Sequence, residues 1–209
     1  MRINCICKLF LLRYFPISPT AAKSESMMTL ETLKTGLFFG TDTTNTEEMG
    51  EKICDELSNY ACVVSMKDIA RIDSVEDLLD YELLILGIPT WDFGGIQEEW
   101  EELEQELKAL NLRGKFVALY GLGDQFGYSD YFVDAMGWLY EIVTECGATM
   151  IGEWPAEGYD FDASRAAYAD NTMFRGLALD EDQQIELSDD RIKCWVAQLE
   201  HQIKNTEPG

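Results

Sequence analysis

A single histidine, His201, stands among 209 residues, near the C-terminus on a helix-patterned stretch. Its solitude excludes every catalytic triad that needs an imidazole base and most zinc-type sites. Basic residues are scarce as well. Sixteen Lys and Arg against 39 Asp and Glu leave a formal net charge of −23. Such a chain repels polyphosphates, so nucleic acid is excluded as a partner. No stretch approaches the run of about 18 apolar residues that a membrane-spanning helix needs. There is no internal repeat and no low-complexity tract. Of six cysteines, Cys5 and Cys7 are too isolated to build a metal site. Cys54, Cys62, Cys146 and Cys194 are widely spaced in apolar-periodic surroundings and are expected to be buried free thiols of a cytoplasmic protein.

The charge is unevenly spread. Residues 1–26 hold Arg2, Lys8, Arg13 and Lys23 against Glu25 alone, with an apolar middle and a small, polar end. Three readings stand side by side: an upstream start with Met27 or Met28 as the true initiator, a targeting peptide, or a structured arm. The expected organisation is an N-terminal extension over 1–26 and one domain over 27–209. The expected location is the cytoplasm, with organelle targeting or export left open by that first segment.

The chain is organised around Gly36-Leu-Phe-Phe-Gly40-Thr41-Asp42-Thr43-Thr44-Asn45-Thr46. A short apolar run ends in a hydroxyl-rich loop, and Met49, Ile53 and Leu57 then recur at spacings of four. The pattern predicts strand, tight loop and helix. A loop of this kind aims backbone N–H groups from a helix N-terminus, which suits a phosphate. It holds no Lys or Arg and so is unlike a P-loop. An ordinary capped loop is the competing reading.

Beyond it, strands and helices alternate. Ala61–Ser65 reads as a strand and Ser74-Val-Glu-Asp77 as a capping box. Leu83–Gly87 reads as a central strand buried on both faces, stopped by Pro89. Gln97–Leu110 reads as one helix with Trp100, Leu103, Leu107 and Leu110 inward. Lys115–Tyr120 is a strand, Tyr131–Glu145 a helix, and Thr149–Glu153 a strand. Residues 154–187 break the rhythm, with a strand at Arg175–Leu179, before a last helix over Asp189–Ile203. Such alternation predicts a parallel sheet covered on both faces, with ligands beyond the C-terminal strand ends. The loops after Phe39, Ile88 and Tyr120 all lie at such ends. Trp91 and Tyr128 stand on two of them, beside glycines. The two rings either cover the sheet end or stack on a planar, phosphorylated heterocycle.

The stretches GLFFGTDTTNTE, LGIPTWDFGGIQEEW, GLGDQFGYSDYFVDAMG, GYDF and GLALDEDQQ, with LSDDRIKCWVAQL, resemble a long-chain flavodoxin from about Lys34 to Ile203. The resemblance implies an α/β, flavodoxin-like three-layer sandwich. Its five-stranded parallel sheet has the order 2-1-3-4-5, with helices on both faces and a long-chain insertion in the last strand. It implies non-covalent FMN and a low-potential one-electron carrier rather than an enzyme. An FMN-dependent quinone reductase on the same fold is the alternative. The implied phosphate loop is Thr41, Asp42, Thr43, Thr44, Asn45 and Thr46. Trp91 would cover one flavin face, with Pro89, Thr90, Asp92, Phe93 and Gly94 of the same loop also at the cofactor. Tyr128 would cover the other face and Gly123 and Asp124 lie against the ring edge, with Gly121, Leu122 and Tyr131 also at the cofactor and Asp182 near the ring. Thr44 stands where the family usually has glycine, which matters if that position needs φ > 0. The partners implied are basic faces of redox proteins (ferredoxin/flavodoxin-NADP reductase, photosystem I or nitrogenase reductase) met by a monomer. The glutamates at 98, 99, 101, 102, 104 and 106 would supply much of an acidic rim that steers docking.

Overall fold

Apolar runs buried on both faces set the centre of the sheet. The structure is a computed structural model and describes Arg13 and residues 28–206. The expectations for residues 1–26 therefore lie outside the described residues, Arg13 excepted. Strands β1 (Thr35–Phe39), β2 (Val64–Asp68), β3 (Leu83–Trp91), β5 (Phe116–Leu122) and β6 (Thr149–Ile151) run parallel in the order β2-β1-β3-β5-β6. A two-residue strand, β4 (Gly95–Ile96), folds back antiparallel on β3. β9 (Leu177–Leu179) continues along β5 where β6 leaves off: Ile151 pairs with Ala118, and Leu177 with Tyr120. The fifth strand of the expected 2-1-3-4-5 sheet is thus present in two halves. Residues 152–176 are inserted between them, with β7 (Trp154–Pro155) and β8 (Met173–Phe174) as a small antiparallel pair.

The helices are α1 (Asn45–Ser58), α2 (Glu98–Glu102), α3 (Glu104–Lys108), α4 (Asp134–Glu145) and α5 (Ile185–Asn205). α1 packs on α5 over one sheet face, and α3 packs on α4 over the other. The spacing-of-four residues Met49, Ile53 and Leu57 are all buried on α1. Among the described residues no helix is long and apolar enough to cross a membrane.

Four local expectations are corrected. Pro89 does not stop β3, which runs on to Trp91. The carbonyl of Gly87 faces β1, accepting from Gly40 N–H at 3.1 Å. Residue 89 has the same parity, so its missing N–H points to the side that β1 has vacated after the Phe39–Gly87 pair,. The strand expected over 61–65 begins at Val64 instead. Ala61, at φ 57, closes the end of α1, and Val63 is left 86% exposed. The single helix over 97–110 is two short ones joined at Leu103. Its run of glutamates is self-repelling at helical spacings, and within it only Lys108, 2.7 Å from Glu104, offsets the charge,. Finally, Cys54, Cys62 and Cys146 are free, whereas Cys194 is disulfide-bonded.

One packing detail fixes the ligand end of the sheet. Tyr120 is fully buried, and its hydroxyl donates to the Thr46 carbonyl, in the first turn of α1, at 3.0 Å. The ring fits only because Gly87 has no side chain; a Cβ there would lie 2.1 Å from Tyr120 Cζ. Gly87→Ala should cost about 1–3 kcal/mol of stability from overpacking, read as a lower urea midpoint at unchanged slope. Gly114→Ala, at φ 78 and with nothing within 4 Å of the added Cβ, is the contrasting case of backbone strain without a clash.

Candidate functional site

The cleft lies at the C-terminal ends of β1, β3 and β5, where the strand order reverses, the place an open α/β sheet offers a ligand. Its volume is about 370 Å³, within the roughly 300–1,000 Å³ of small-molecule pockets. It is lined by Thr43, Asn45 and Thr46; by Pro89, Thr90, Trp91 and Asp92; by Leu122, Gly123, Asp124 and Tyr128; and by Glu181 and Asp182.

The first of these segments is the start of α1. Thr44 is its N-cap but makes no capping hydrogen bond to the backbone. Its hydroxyl turns instead to Glu48 Oε1 at 3.3 Å. The N–H groups of the first turn therefore remain available, at the positive end of the helix. Thr44 itself has φ 69. The position does require the left-handed region, and a β-branched residue occupies it at a cost of about 1–2 kcal/mol.

The second segment is the extension of β3. Thr90 Oγ1 accepts the N–H of Ala135 at 3.2 Å, tying the strand end to α4. Asp92 and Gly94 have φ 43 and φ 82, so the loop turns sharply after Trp91. The third segment is held by Asp124, whose Oδ1 accepts from Phe126 N–H, Gly127 N–H and Gln183 Nε2 at 3.0, 2.9 and 3.1 Å. Tyr128 closes the site towards the second loop by donating its hydroxyl to Asp92 Oδ1 at 3.2 Å.

Of the residues expected to bind a cofactor, twelve line the cleft, and Thr41, Asp42, Thr44, Phe93, Gly94, Gly121 and Tyr131 do not. Asp42 and Thr44 point to solvent. Phe93 turns outward, 78% exposed, and meets Tyr128 and Tyr131 edge-on at 5.9 and 5.8 Å between centroids. Gly94 backs onto Asp134, and Gly121 is buried in β5 against Met136. Glu181 was not anticipated. Its neighbour Asp182 on the same short segment was the only available signal.

The site carries no basic side chain, and its carboxylates feel one another. Burial, with Asp124 and Asp180 nearby, pushes the Asp182 carboxyl above its ordinary value. Burial does the same to Glu181, partly offset by the Ser188 hydroxyl and Lys52. For Asp124 burial also pulls upward, but its three N–H donors outweigh it and the carboxyl sits below its ordinary value. Among the described residues seven polar side-chain atoms are buried without a partner, and two of them, Trp91 Nε1 and Thr41 Oγ1, belong to the segments that follow β1 and end β3. Buried polar groups are rarely left so unless a ligand or water completes them.

The fold and site define a doubly wound α/β protein with a small-molecule-sized cleft beyond the ends of its central strands. The family model described as flavodoxin matches residues 37–195. Flavodoxin 2 of Escherichia coli is 48% identical over 165 residues, covering 78% of this chain and 93% of its own. A flavodoxin of Nostoc sp. is 48% identical over 170 residues, covering 81% and 97%. The crystal structure of Fusobacterium nucleatum flavodoxin bound to flavin mononucleotide superposes with a TM-score of 0.75 at 28% identity, over 81% of this chain and 98% of that one. The chain belongs to the flavodoxin family.

Two outcomes follow from the local chemistry. Thr44→Gly should raise the stability of the ligand-free protein by about 1 kcal/mol, relief of left-handed strain outweighing the added freedom of the unfolded chain; chemical denaturation measures it. Asp182→Asn should also stabilise at pH 7. A carboxyl whose folded pKa is raised costs stability when ionised, and that cost disappears as pH falls through the raised pKa,. The advantage of the variant should therefore close as the pH approaches the ordinary carboxylate range from above.

Proposed function

We propose that this chain is a low-potential one-electron carrier that holds FMN non-covalently in the cleft. The observation that carries the reading is the polarity of that cleft. One end is the uncapped first turn of α1 with the hydroxyls of Thr43 and Thr46, and the other holds the Trp91 and Tyr128 rings. The flavin supplies the redox chemistry when bound. The residues present fit it: the Thr43 and Thr46 hydroxyls and the first-turn N–H groups suit a phosphate without a basic side chain, and the unpartnered Trp91 Nε1 suits an acceptor on the ligand,.

The protein's own groups tune the carrier. Asp92, Asp124, Glu181 and Asp182 all line the cleft. Any negative charge gained by the ligand on reduction is opposed by these carboxylates and by a chain of net charge −23,. The potential is thereby lowered. Tyr128 lies against the open side, its hydroxyl fixed by Asp92, so that a ring edge rather than a deep substrate pocket faces solvent. Six glutamates on α2 and α3 add to the acidic surface. Reductases and acceptors with basic faces are the partners this surface would steer, by an attraction that salt weakens.

The test is an absorbance spectrum of the protein purified from cells and again after adding FMN, followed by stepwise anaerobic reduction at pH 7. Two visible flavin bands that bleach in separable one-electron steps are expected, the second step at low potential. A protein that stays colourless and leaves added FMN fully fluorescent would sink the proposal.

A further inference from the structure

Two polar side chains lie behind the cleft without lining it. Gln125 and Asp180 are both 0% exposed. The two oxygens of Asp180 take four N–H groups. Oδ2 accepts Gln125 Nε2 at 2.7 Å and the Gln125 backbone N–H at 3.0 Å. Oδ1 accepts the N–H of Asp182 at 3.1 Å and of Gln183 at 2.9 Å. The other end of the Gln125 amide is also engaged, Oε1 accepting the Asp160 N–H at 2.7 Å. One buried pair thus joins three segments: the loop that carries Tyr128, the segment with Glu181 and Asp182, and the first part of the 152–176 insertion.

The seam continues from there. The N–H groups of Asp162 and Ala163 both bond the Ser129 carbonyl, at 2.9 and 3.0 Å. The Arg165 N–H bonds Asp134 Oδ1 at 2.6 Å. Between them Phe132, fully buried, packs on Tyr159, Phe161 and Phe174 at 5.7, 5.8 and 5.7 Å between centroids. The insertion therefore lies along the whole of the third loop. A buried carboxylate filled by N–H donors holds them firmly, because each donor deprived of it loses its solvation as well.

We infer that Asp180 and Gln125 are positioning residues for the cofactor site. They hold the Tyr128 loop and the Glu181–Asp182 segment in the geometry that receives a ligand. They also make that geometry depend on the insertion, which is a splint for one wall of the cleft. Neither side chain reaches the cleft. The effect runs through Asp124, Tyr128 and Asp182, with Gln183 tying Asp124 to the same segment a second time. The ligand in this inference rests on the FMN reading; the wall geometry does not.

The test uses the full chain with Asp180→Asn, Gln125→Glu and the double swap. Asp180→Asn sets amide hydrogens against the Gln125 donors. Gln125→Glu sets a second carboxylate against Asp180. The swap restores one side-chain donor facing one acceptor and keeps an acceptor for the Asp160 N–H, leaving only the backbone N–H of residue 125 without its oxygen. In the ligand-free protein, hydrogen exchange at Asp160, Asp182 and Gln183 should speed by about tenfold or more in either single variant. It should recover in part in the swap, with β1 and β3 unchanged throughout. The FMN dissociation constant should rise by about tenfold in the single variants and recover likewise. Gln125→Met, which loses both side-chain bonds without adding charge, gives the same readings should a charged variant not fold.

Parental exchange rates in the single variants overturn the inference. So do faster rates spread over β1 and β3, a swap no better than its parents, or FMN affinity unchanged despite faster local exchange. A chain that follows the exchange pattern but takes up no FMN overturns the flavin reading and leaves the wall assignment standing.

Discussion

The hydrogen bond from Tyr120 to the Thr46 carbonyl joins the middle of the sheet to the first turn of α1 in a place water does not reach. A carbonyl in that first turn would ordinarily be committed along the helix. Here it also receives a phenol from β5, two strands away from the strand that leads into the helix. The contact requires a slot, and Gly87 on β3 and Gly50 on α1 provide it. Burial pushes the Tyr120 hydroxyl well above its ordinary pKa, so it is a donor at neutral pH. The distance between the α1 terminus and the Trp91 and Tyr128 loops is thus set by core packing rather than by the loops themselves. A site that must hold a ligand by backbone N–H groups gains from such an anchor, since it has no flexible cation to make up a misplacement.

Much of this was legible in the chain, and the exceptions have physical causes. Uninterrupted apolar runs such as Leu83–Gly87 and the repeat Met49, Ile53, Leu57 identify a buried strand and a helix face without ambiguity, because burial alone decides them. Pro89 misleads because its cost depends on which side of the strand lacks a neighbour, and only the register with β1 reveals that. The break at Leu103 arises from repulsion among glutamates that each look helix-compatible singly. At the site, Trp91, Tyr128 and the hydroxyl loop are visible through residue type. Phe93 and Gly94 share their segment yet face away, since a turn at φ 43 redirects everything after Asp92. Glu181 carries no signature distinct from any surface carboxylate. Asp180 and Gln125 are equally silent in sequence, because an Asp or Gln is polar wherever it occurs and only folding buries it.

Backbone strain is distributed in a telling way. Ala61 and Asn171 have positive φ without being glycine, and so do three residues nearer the ligand end of the sheet: Thr44, Asp92 and Val133. Each of the three stands at a junction beside the cleft: the cap of α1, the turn after Trp91 and the cap of α4. No residue of the strands has a positive φ. Part of the local conformational energy is thus spent where loops must be aimed, and the large apolar core makes it tolerable.

The two halves of the fifth strand have a separate consequence. Ile151 lies opposite Ala118 and Leu177 opposite Tyr120, so a lone residue facing Leu119 is all the strand lacks. To the hydrogen-bond ladder, everything from 152 to 176 is a parenthesis, opened and closed on the same line of text. Chains with and without that parenthesis can share one architecture. Lengthening or trimming it is a change outside the strand pairing, although not outside the core, which holds its Trp154, Ala166 and Phe174.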